Sequence, residues 1–90
     1  MQKLLTMRAL ASAVVEALAF LELSDDDQVD SAAAVGAMEA IVARLKDATE
    51  EELRALRAAV LHENNERNKL NADEHVLDFY ENFFEHFGLE

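Results

Sequence analysis

The stretch LLTMRALASAVVEALAFLEL, residues 4–23, decides the fold. Between positions 9 and 21 only Ser12 and Glu16 are polar, and the other eleven residues are apolar. At about 100° per residue, Arg8, Ser12 and Glu16 share one narrow stripe, and most of the circumference is free to be buried. Such a helix needs neighbours on several sides. The expected fold is therefore all-α, a compact bundle of about four helices built around this central N-terminal helix.

The same stretch has some features of an export signal. Lys3 and Arg8 are basic, and Ala17-Leu18-Ala19 has the small-x-small form of a cleavage site. Glu16 interrupts the apolar run just before that site, and cleavage would remove the most buried-looking helix. The run is too short and too charged to span a bilayer. It reads as a core helix of a cytoplasmic protein.

Outward from it, Ser24 and Asp27 have the spacing of a capping box with Asp in place of Glu, and Asp30 is placed to cap a helix starting at Ser31. Asp25, Asp26, Asp27 and Asp30 also invite a calcium reading. An EF-hand counted from Asp25 needs Gly and Glu where Asp30 and Gly36 stand, so that pattern fails. The second helix is expected over residues 31–47, with Val35, Met38, Ile41, Val42 and Leu45 as its apolar stripe. Gly36 in a helix interior costs on the order of 1 kcal/mol against Ala. A close crossing there, against the Ala-rich part of the first helix, would offset it.

Thr49-Glu50-Glu51-Glu52 is a full capping box with an acidic first turn. It opens a third helix over residues 50–66, with Leu53, Leu56, Val60 and Leu61 as the buried stripe. Glu63 to Arg67 and Glu66 to Lys69 are helix-spaced ion pairs. Residues 62–69 hold no apolar side chain, and Asn64, Asn65, Asn68 and Asn71 lower helix propensity. A hinge is expected over residues 64–71, with Asn71 capping a last helix over residues 72–87. That helix carries five of the chain's six aromatic residues, Phe79, Tyr80, Phe83, Phe84 and Phe87. They are the bulky half of a core rich in Ala, and Tyr80, Phe83, Phe84 and Phe87 are also the candidate partner-binding residues, in a homodimer or with another protein. Gly88 is a helix stop. Leu89-Glu90 has the form of a purification-tag remnant.

Ninety residues make one small domain, residues 1–90, that buries only about 60–65% of its unfolded surface. Of its 51% apolar residues, sixteen are Ala, which adds little buried area. The net charge of −11 argues against nucleic acid and anionic membranes as partners, and suits a cationic protein partner. The absence of Cys excludes disulfides and thiolate chemistry.

His62, His75 and His86 are the neutral-pH acid–base candidates, but Ala59, Ala72 and Phe83 stand where di-iron bundles place Glu. No zinc pair, nucleophile elbow or phosphate loop occurs. The expectation is no catalytic residue, no metal and no cofactor: an acidic, non-enzymatic adaptor, inhibitor or immunity-like protein.

Asp30-Ser31 resembles the Asp-Ser of acyl carrier proteins, which are also small, acidic and helical and carry that pair at the start of their second helix. The chain departs from them at Ala32, where they have a bulky apolar residue, and at Gln28, where they have Gly. The resemblance implies an alternative, a carrier or enzyme accessory domain with phosphopantetheine on Ser31.

Overall fold

The computed structural model describes residues 2–90, with side chains from residue 7 onward. Its elements are α1 (Gln2–Leu23), α2 (Ser31–Leu45), α3 (Glu50–Lys69), α4 (Glu74–Glu81) and α5 (Phe83–His86), with no strand among the described residues. The expected all-α bundle is the observed one. Helix α1 packs on both α2 and α3, and α3 packs in turn on α4.

Local chemistry sets most of the boundaries. The Asp30 carboxylate accepts the Ala33 N–H at 3.0 Å, which starts α2. Thr49 and Glu52 exchange side-chain-to-backbone bonds of 3.1 and 2.8 Å at the head of α3. Between α1 and α2, Ser24 and Asp27 form no capping box; the segment is a turn closed onto the Asp25 carbonyl by the Gln28 and Val29 N–H groups.

Helix α3 runs three residues past the expected end. Its inward positions Glu63, Asn64 and Arg67 are half-buried and continue the face begun by Leu56 and Val60. Arg67 pairs with Glu63 at 3.2 Å and lies over the Tyr80 ring at 5.7 Å, so a tertiary contact holds a stretch of weak propensity in helix. Asn71 does not cap the last helix. It sits at φ 56° after α3, with the Ala72 N–H donating to Arg67 and the Asn71 N–H to Asn68, a left-handed helix stop. Asp73 takes the position before α4.

The expected last helix is divided at Asn82. Its side-chain amide donates to the Asp78 carbonyl at 3.1 Å, beside the backbone bond from its own N–H. This doubled acceptor marks the end of α4, and α5 begins at the next residue, Phe83. Gly88 at φ 66° then stops α5, with its N–H donating to Glu85 and the Leu89 N–H to Phe84. Leu89, which the sequence reading set aside, is buried in the core.

That core combines Val15 and Leu18 of α1, Leu56 and Val60 of α3, and Phe79, Tyr80, Phe83 and Phe84 of α4 and α5. The molecule measures 41 × 31 × 21 Å. The shortest extent is about two helix diameters, so no helix is enclosed all round. Three packing expectations are corrected on this ground. Helix α1 buries one face only, and Leu10 and Phe20 are 63% and 58% exposed. Leu61 and Val35 lie on the outer sides of α3 and α2. Gly36 has nothing within 4 Å of a would-be Cβ, so no helix crosses there; Ala34 is the buried residue of α2.

Candidate interaction surface

The candidate rings form one edge-to-face cluster. Phe79 lies 5.6 Å from Phe83, and Phe83 lies 5.0 Å from Phe87, at interplanar angles of 84° and 71°. Phe83 is fully enclosed, Tyr80 and Phe84 are buried, and Phe87 is half-buried against the same core. The first three rings are covered by the chain's own α1 and α3. A second molecule reaches them only if the α4–α5 segment undocks.

Charged groups close the edges of this cluster. The Arg57 guanidinium stacks over Phe84 at 4.1 Å. His86 Nε2 approaches a Glu22 carboxylate oxygen at 3.4 Å, which ties α5 to α1. Burial pushes the Tyr80 phenol above its ordinary value near 10.0; the Arg67 charge opposes that rise, while Glu63 and Glu16 add to it. The buried Asn64 Oδ1 has no hydrogen-bond partner. His75 and His86 border one shallow depression with Glu22 and Asp78, yet no group of three metal-ligating side chains occurs among the described residues. Ser31 is exposed at the head of α2.

Val35, Leu61 and Leu70 are exposed singly on or beside α2 and α3, whereas α1 carries a run of exposed apolar residues. Leu10, Ala13, Ala17 and Phe20 follow one another at spacings of three, four and three, and all four are exposed. They form a strip on the side of α1 away from Val15 and Leu18. At its Leu10 end the strip opens into a depression of about 370 Å³ between α1, the end of α2 and the start of α3. Met7, Val14, Leu45 and Leu53 line its floor, and Arg44, Asp47 and Glu52 stand at its rim.

Sequence reasoning missed this strip because the helix reads as apolar almost all round. The signal was present in the order Leu-Ala-Ala-Phe, two small residues between two large ones, at heptad spacing. Comparison of the chain with protein-family models, curated proteins and solved structures finds no match. Among the described residues, no helix is long and apolar enough to cross a membrane.

Proposed function

We propose that the chain is a non-enzymatic binding protein of the cytoplasm, acting by protein–protein contact as an adaptor, inhibitor or immunity-like partner. The observation that carries this reading is the open α1 strip. Leu10 and Phe20 present more than half of their surface to solvent. Their helix is fixed from behind by the core residues Val15 and Leu18. Exposed rings and aliphatics on a rigid helix are what a partner needs as anchors, because little conformational entropy is lost when they are covered. The net charge of −11 favours protein over nucleic acid or anionic lipid.

The test is capture from an extract of the source organism with the wild-type chain and with Leu10→Glu/Phe20→Glu, whose fold is checked by circular dichroism. A protein retained by the wild type and lost by the folded double variant supports the reading. Identical captured sets overturn it. The second reading, a carrier domain modified at Ser31, has the exposure of that hydroxyl in its favour. A discrete phosphopantetheine mass on Ser31 in protein from the native host would decide for it.

A further inference from the structure

The strip on α1 reads the same in both directions about position 15. Leu10 and Phe20 stand five residues to either side of that centre, and Ala13 and Ala17 stand two residues to either side. Two copies of α1 laid antiparallel across a twofold axis at position 15 therefore match large against large and small against small. Leu10 of each copy meets Phe20 of the other, and Ala13 meets Ala17. A twofold interface requires this self-complementarity of one patch, and a random apolar strip lacks it.

The surroundings fit the same arrangement. The two small pairs at the centre let the helix axes approach to about 8 Å. The Phe20 ring of one copy then lies at the Leu10 end of the other, where the 370 Å³ depression opens. The turn carrying Asp25, Asp26 and Asp27, exposed in each copy, comes beside the N-terminal end of the facing α1. That end has no acidic residue in its own first turn, so the acidic turn lies against the positive end of a helix dipole.

From this we propose that the partner seated on the α1 strip is a second copy of the chain, in an antiparallel α1–α1 homodimer with Phe20 as the anchoring ring. The proposal rests on the reading of the strip as the binding surface. Two four-residue strips fall short of the roughly 1,200–2,000 Å² of a standard interface. The dimer is accordingly a weak one, forming over about ten to several hundred micromolar.

Sedimentation equilibrium over that range, at physiological salt where repulsion between two chains of charge −11 is screened, is the first arm. The expected result is a monomer–dimer equilibrium for the wild type and a monomer for Leu10→Glu/Phe20→Glu. The second arm uses the lack of native Cys. A mixture of Ala13→Cys and Ala17→Cys chains is expected to cross-link on oxidation, whereas either variant alone is not. In the antiparallel pair, like positions four residues apart across the axis are offset by about 6 Å along it, too far for a disulfide once the helix separation is added.

Cross-linking of Ala13→Cys by itself would indicate parallel chains and overturn the proposal, and so would a monomeric wild type throughout. If the wild type is monomeric and the double variant still loses a protein from the extract, self-pairing fails and the binding reading stands. If the wild type is monomeric and nothing is lost, both fail.

Discussion

Tyr80 is the chain's one tyrosine, and there is no tryptophan, so its phenol can be followed alone by ultraviolet absorbance. Burial holds its pKa above 10.0 despite the nearby Arg67. The folded state therefore keeps a proton that the unfolded state releases, and stability must fall as that proton is lost. Its contribution is complete below pH 10 and declines as pH rises through the folded-state value. A spectroscopic midpoint above 10 is expected, along with a decline in urea stability above pH 10 that Tyr80→Phe reduces. A midpoint at or below 10 would contradict the burial. Gly36 gives the opposite kind of prediction. With open space around it inside α2, Gly36→Ala should raise stability by about 0.5–1 kcal/mol, measured by denaturant unfolding. A loss of stability would mean that a neighbour fills the space after all.

Among the elements, starts were more legible in the sequence than ends. The Thr49–Glu52 box and the Asp30 cap are short-range patterns in which the side chain reaches a backbone N–H three residues away, so position alone reveals them. Thr49→Ala should cost about 1 kcal/mol of stability in thermal or urea unfolding. Asn71 was ambiguous because Asn suits both a helix start and a left-handed stop. The choice was made by how far α3 continued, and that depended on Arg67 meeting Tyr80 from another helix. Asn82 is a similar case: its side-chain bond to Asp78 competes with the helix only in the geometry it helps to create. A contact from another helix decided the first place and a bond to the residue four positions back the second, and local propensity chooses neither.

For the whole molecule, the all-α class and the positions of the first three helices followed from the sequence, whereas the division of the last helix at Asn82 and the allocation of apolar faces did not. An Ala-rich α1 offers several faces of nearly equal hydrophobicity. The large rings of α4 and α5 settle which one is covered, because Phe79, Tyr80, Phe83 and Phe84 bury far more area per residue than the alanines. A bundle only 21 Å thick then leaves the opposite side of α1 without a neighbour. The aromatic segment, read from the sequence both as the bulky half of the core and as a candidate partner surface, lies in the core, and the proposed binding surface is Leu10, Ala13, Ala17 and Phe20.

This exchange of roles is the account's central claim, and a pair of substitutions measures it. Urea unfolding of Phe20→Ala and Phe83→Ala, at low micromolar concentration where the chain is monomeric, compares the same change of side chain on the open face and in the core. The account predicts that Phe83→Ala loses about 3–5 kcal/mol and Phe20→Ala stays within about 0.5 kcal/mol of the wild type. Equal losses, or a larger loss at Phe20, would contradict it.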